Sequence, residues 1–136
     1  MTFELLSCPV VESIGRYARE ADELLLASPW ISQEAVQMLR DSFAGKRVTV
    51  LTFPQSVSSL SSLTLPQMQI YKGPVHAKLY IFRRNNQTYA SIFGSANMTL
   101  GDNEELIVLC KDGRFNDSLT KIFHRFKNRC DPVRRW

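Results

Sequence analysis

The spacing of apolar positions changes several times along this chain, and each change marks an element. After Ser7-Cys8-Pro9, which offers an N-cap closely followed by proline, Val10, Ile14, Tyr17 and Ala21 recur at helical spacing and predict a helix to about Asp22. Leu24-Leu25-Leu26-Ala27 is short and continuously apolar, the pattern of a strand buried on both faces. Ser32 is placed to cap a second helix through about Phe43, with Val36, Leu39 and Phe43 on one stripe and Gly45 as its stop. Val48-Thr49-Val50-Leu51-Thr52-Phe53 is β-branched and strand-like. Helix, strand, helix, strand in that order predicts a largely parallel sheet covered on both sides.

Residues 54–67 are serine-rich and bounded by Pro54 and Pro66, which predicts a loop with room for one helical turn. Strands follow at about 68–72, 76–82, 88–93 and 105–110, the middle pair joined by the polar turn Arg83-Arg84-Asn85-Asn86. A last helix over about 117–128 turns Leu119, Ile122, Phe123 and Phe126 inward, and Asp131 to Trp136 read as an exposed end.

At 136 residues the chain fits a single domain, residues 1–136, able to bury roughly two-thirds of its unfolded surface. A hydrophobic share of 44% and a charged share of 22% are ordinary for a globular protein. The net charge of +4 permits a polyanionic partner without requiring one. Cys8, Cys110 and Cys130 are scattered, which argues against a disulfide framework and against a zinc site. No apolar run approaches the ~20 residues that span a bilayer, and no basic region precedes the short apolar stretch at the start. The expectation is a reduced, cytoplasmic protein without a membrane segment.

One of the two histidines sits in an apolar run beside a lysine, in His76-Ala77-Lys78. Strand residues i and i+2 share a face, so His76 and Lys78 point together while Leu79 and Ile81 pack on the other side. The lysine is placed to hold an anion against the imidazole. Past the next strand, Ser95 and Asn97 are again two apart. Gly94 allows close backbone approach, and the hydroxyl and amide supply donors for phosphate oxygens. This set suits an anion and makes no metal cage. A carboxylate to orient the imidazole is offered by Glu105, with Glu104 as the alternative.

His76-x-Lys78, Gly94-Ser95-x-Asn97 and Asn103-x-Glu105, in that order, resemble the HKD signature of the phospholipase D-like superfamily. The run from Leu26 to Ile31 resembles how such domains begin. The resemblance implies an α/β/α sandwich with a mixed sheet and phosphodiester cleavage without metal or cofactor. By the same resemblance, His76 attacks phosphorus to give a phosphohistidine. Lys78 and Asn97 hold the phosphoryl oxygens, Ser95 assists, and Glu105 orients His76. Such sites use two copies of the motif, and this chain carries one, so the resemblance implies a homodimer with one His76 as nucleophile and the other as general acid. One position departs from the family pattern: Arg83 stands where an aspartate is often found five residues after the lysine. The segment from Lys78 to Gly94 is also longer.

A lone strand histidine is usually an ordinary surface or core residue; the ordered company of Lys78, Gly94, Ser95, Asn97 and Glu105 reverses that reading. His124 reads as a helix-surface residue. Lys72, Tyr71, Tyr80, Arg83 and Arg84 flank the motif and are candidate contacts for a polyanion. Lys121, Arg125, Lys127, Arg129, Arg134 and Arg135 make a basic face. The favoured function is a nuclease acting on nucleic acid, DNA ahead of RNA, alone or beside a helicase or other partner in a larger complex. The alternatives are a lipid phosphodiesterase or phosphatidyl transferase, and a binding domain with impaired chemistry. No helix-turn-helix or zinc finger is present, so weak sequence preference is expected.

Overall fold

The computed structural model describes residues 2–61, 63, 65–101 and 104–133. Asn103 of the expected N-x-E group and the basic Arg134 and Arg135 lie outside the described residues. The elements are β1 (Phe3–Leu5), α1 (Val10–Ala18), β2 (Glu23–Ala27), α2 (Gln33–Phe43), β3 (Arg47–Thr52), a 3₁₀ helix (Pro54–Leu60), β4 (Met68–Lys72), β5 (Leu79–Arg84), β6 (Gln87–Gly94), β7 (Ile107–Cys110), α3 (Gly113–Lys127) and β8 (Asp131–Pro132). Among the described residues the strands form one sheet in the order β1-β7-β6-β5-β2-β3-β4-β8.

The three-layer α/β/α arrangement follows from strands that are apolar on both faces. Leu24 and Leu26, Val48 and Val50, Tyr80 and Phe82 face α1 and α2, where Val10, Ile14, Ala35, Leu39 and Phe43 complete one core. Leu25, Ala27, Leu51, Leu79 and Ile81 face α3 and close on Phe123. The expected alternation about Lys78 therefore holds from Leu79 onward. Ser32 caps α2 as expected, its hydroxyl accepting from Ala35 N–H at 3.1 Å. Asp112 caps α3 in the same way, accepting from Phe115 N–H at 2.9 Å. That cap starts α3 at Gly113, ahead of the expected 117.

The sheet is mixed, but it is not largely parallel. Only β2 with β3 and β3 with β4 run parallel among the described residues, and the other neighbours are antiparallel. The alternating helices serve the first half of the chain alone. In the second half, β5 and β6 are joined by a short turn, which can join only antiparallel strands, and β6 with β7 and β4 with β8 also pair antiparallel. Asn85 and Asn86, with φ of 53° and 63°, make the β5–β6 turn in the left-handed conformation that a two-residue hairpin needs.

Smaller departures have local causes. Pro9, not Ser7, occupies the N-cap of α1, and the helix ends at Ala18 rather than Asp22. Strand β5 begins at Leu79 because Ala27 pairs with Leu79 and the neighbouring chain then leaves the sheet at Ser28-Pro29. The supposed exposed end adds β8 to the edge of β4, with Val133 N–H donating to Ile70 carbonyl at 2.8 Å. No helix among the described residues is long and apolar enough to cross a membrane.

Candidate active site

The pairing register places the expected site on one edge of the sheet. The parallel strands β2, β3 and β4 end there at Ala27, Thr52 and Lys72. Strand β5 starts there, because Leu79 pairs with Ala27 and with Phe93; β6 ends there, and β7 begins there through the Gly94–Ile107 pair. His76, Lys78, Gly94, Ser95, Asn97, Glu105 and Lys72 thus gather at one rim. The reversal of direction between β2 and β5 is the kind of switch point where α/β sheets bind ligands.

The loop Gly94–Asn97 is anchored from below. Gly94 adopts φ of 148°, and a Cβ built there would lie 1.8 Å from Leu106 carbonyl oxygen, so only glycine fits. Ser95 N–H donates to Leu106 carbonyl at 2.9 Å. Tyr80, 1% exposed, donates its hydroxyl to Ala96 carbonyl at 2.7 Å. Burial holds the Tyr80 phenol well above its ordinary pKa, so it stays protonated as a donor. Ser28, fully buried, donates to Trp30 carbonyl at 2.7 Å and accepts from Met98 N–H at 2.9 Å. Asn97 Oδ1 accepts from Trp30 N–H at 3.2 Å. An N–H can only be met by the amide oxygen, so Asn97 Nδ2 is left as the donor for a ligand.

His76 is exposed, with its ring edge-to-face on Phe53 at 5.6 Å, and Phe53 in turn meets Trp30 at 5.2 Å. This aromatic row braces the imidazole from the ends of β2 and β3. Lys78 is half-buried, and no salt bridge engages it among the described residues. Its charge is open to an external anion.

Not every expected pairing is made. Glu105 accepts a short hydrogen bond from Ser95 Oγ, which itself accepts from Leu106 N–H at 2.9 Å. No hydrogen bond joins Glu105 to His76 among the described residues, so the carboxylate engages the serine and not the ring. Glu105 and Asn97 line a small cleft of about 120 Å³. Glu104 is exposed and makes no side-chain hydrogen bond or salt bridge among the described residues.

Three expected substrate contacts require correction. Tyr80 is core, its hydroxyl spent on Ala96, and it supports the loop from inside. Arg83 and Arg84 lie at the opposite end of β5, where Arg83 pairs with Glu23, so they are remote from the rim. Arg83 lies roughly 17 Å from Lys78 along the strand. Arg83 donates to Glu23 at 3.0 Å, Thr88 at 2.9 Å and Asn86 carbonyl at 2.8 Å, fastening β5 to β2 and to its own hairpin. Lys72, by contrast, is exposed on the site edge. Trp30, Phe53 and Ser28 were not singled out in the sequence, although their positions just past parallel strands are the available signal. No His, Cys, Asp and Glu cluster among the described residues could hold a metal ion.

Residues 55–131 match the family model described as the NgoFVII restriction endonuclease N-terminal PLD domain. No curated protein sequence matches significantly. Among solved structures, NucT from Helicobacter pylori is similar over 96% of this chain and 98% of its own, with a TM-score of 0.75 and 14% identity. Nuc from Salmonella typhimurium, a phospholipase D family member, aligns over 98% of both chains with a TM-score of 0.70 and 12% identity. TrmBL2, described as an archaeal chromatin protein with a novel mode of DNA binding, aligns over 98% of this chain and 54% of its own, with a TM-score of 0.70 and 14% identity. At these identities the structural likenesses speak to the fold.

Proposed function

The chain belongs to the family of the NgoFVII restriction endonuclease N-terminal PLD domain, and from that membership we propose that it is a metal-independent nuclease acting through His76. The observation that supports the reading is that exposed His76, Lys78 (in no salt bridge among the described residues) and Asn97, whose Nδ2 the Trp30 contact leaves unused, lie on one sheet edge. These groups suit a phosphodiester: a nucleophile, a cation and a neutral donor, with no opposing carboxylate on the lysine.

In this reading His76 attacks phosphorus and the P–O bond to the leaving oxygen breaks, giving a phosphohistidine that water then hydrolyses. Lys78 and Asn97 hold the non-bridging oxygens. Glu105, bonded to Ser95, fixes that hydroxyl beside them. The leaving oxygen needs a proton, and a second His76 from another copy of the chain supplies it. Apolar side chains at the same rim support the pairing. Leu5 is 73% exposed and Leu106 60% exposed, with Trp30 and Leu100 also uncovered. Such a patch around a polar site fits a face covered by an identical subunit.

DNA is the preferred substrate, in keeping with the relatives' descriptions, and target selection falls to a separate recognition or helicase partner. TrmBL2's printed description favours a second reading, nucleic-acid binding without turnover. Incubation with plasmid or oligonucleotide in EDTA separates the two. Cleavage that survives chelation and is lost in His76→Ala, with binding retained, supports the nuclease. Binding with no turnover in any buffer, or cutting that stops on chelation, overturns it.

A further inference from the structure

A cavity of about 220 Å³ opens beside His76 on the α3 side of the sheet. Val75, Ala77 and Phe126 give it apolar walls, and Arg129 is the charge among its described lining residues. Cys130 also lines it, packed so tightly on Gly73 that a Cβ there would lie 2.8 Å from its Sγ. The anion-holding groups described above do not include this space: it sits next to the nucleophile and offers it almost no hydrogen bonds.

Its chemistry selects an occupant. The volume lies below the roughly 300–1,000 Å³ of sites for drug-sized molecules, so it admits one flat ring system and not a lipid chain pair. An aromatic wall at Phe126 offers a stacking face, which every nucleobase satisfies irrespective of sequence. Arg129, an exposed residue of the lining, complements the phosphate to which such a ring is tethered, and repels a cationic headgroup. A base inside a duplex is covered by its pair and its neighbours and reaches such a cavity only by extrusion.

We infer that this cavity takes the unpaired nucleobase adjoining the phosphate attacked at His76, so that the substrate is single-stranded or locally unpaired nucleic acid. The inference rests on the nuclease reading above and adds the strandedness of its substrate.

The test uses one oligonucleotide sequence in three forms: single-stranded, duplex, and single-stranded with an abasic spacer at the cleaved position. Wild-type protein is expected to cut the base-bearing single strand about tenfold faster than the abasic strand, and faster than the duplex. In Phe126→Ala the ratio of base-bearing to abasic cleavage falls toward one, and Phe126→Trp restores it; a ratio cancels any general loss of folded protein. Equal cutting of base-bearing and abasic strands by the wild type overturns the cavity assignment while leaving the nuclease intact. If no strand is cut, the nuclease reading fails, and binding of a single strand carrying 2-aminopurine judges the cavity alone. An emission change present in wild type and lost in Phe126→Ala supports it; no change at saturation overturns it.

Discussion

Asn97 joins a structural contact to a proposed chemical role. Its Oδ1 accepts from Trp30 N–H at 3.2 Å, tying the loop after β6 to the loop after β2, and its Nδ2, not used in that contact, is the donor proposed for a phosphoryl oxygen. Asn97→Asp keeps the acceptor but replaces the donor with negative charge aimed at a phosphate. The expected outcome is a thermal midpoint close to wild type with turnover lowered at least about 100-fold, because one charge-stabilising donor is worth that much in a water-poor site. Asn97→Ala loses both functions, and about 0.5–1 kcal/mol of stability goes with the exposed hydrogen bond to Trp30 N–H, where water can take the lost acceptor's place. Calorimetry and initial rates on the two variants check the division. The place of Asn97 just past β6 was legible in the sequence, since G-S-x-N after an apolar run is a short-range pattern. Its tie to Trp30 was not, because that contact joins residues 67 positions apart. The same limit hid Phe53 behind His76, and it hid the choice of Glu105 for Ser95 over the imidazole.

At the scale of elements, the strand direction decides which cations matter. Strand β5 carries Lys78 just before its first residue and Arg83 near its last, so one charge faces the site and the other faces the far edge. Alternation and apolar runs located β2, β3, β4 and the two arms of the hairpin within a few residues, since those signals are local. The sheet order was not local. Nothing in the alternation of Leu79 to Arg84 says that β5 inserts beside β2 antiparallel, and that single placement sends Arg83 away from the rim. It also buries Tyr80 between loop and core, where a flanking aromatic had read as a substrate contact. The consequence is measurable as salt dependence. Each phosphate contact removed lowers the slope of log Kobs against log salt by about one. Lys72→Gln is expected to lower the slope for DNA by about one, while Arg83→Gln leaves it unchanged and lowers the thermal midpoint by releasing Glu23, Thr88 and Asn86. Titration of a labelled strand at several salt concentrations reads the first effect, and thermal unfolding reads the second. A slope that falls with Arg83→Gln would return that residue to the interface.

For the whole molecule the deciding fact is a count of imidazoles. One chain brings His76 to its rim. His124, its other histidine, lies on α3 near the Arg83–Glu23 pair at the far edge, where burial and the neighbouring cations Lys127 and Arg83 hold its pKa below the usual imidazole range. It is therefore neutral near pH 7 and in the wrong place to protonate a leaving group. In the proposed mechanism Lys78 is the cation that holds the phosphoryl oxygens and is not the acid. In that mechanism one chain brings one imidazole to the phosphorus, as nucleophile, and a second copy meeting it over Leu5, Leu106 and Trp30 would bring the imidazole that serves as general acid. Below the dimer constant total activity should therefore fall as the square of protein concentration, so that specific activity falls in proportion to it, and recover on reconcentration. A Leu106→Glu variant, which places a buried charge in the contact, should shift that midpoint upward by at least about 100-fold, since removing one paired charge's compensation at an interface costs several kcal/mol. Sedimentation velocity across the same dilution series reports the assembly state independently of turnover. Activity that stays proportional to protein well below the concentration where the dimer dissociates would mean that a single rim completes the reaction, and that the proton comes from solvent rather than from a second His76.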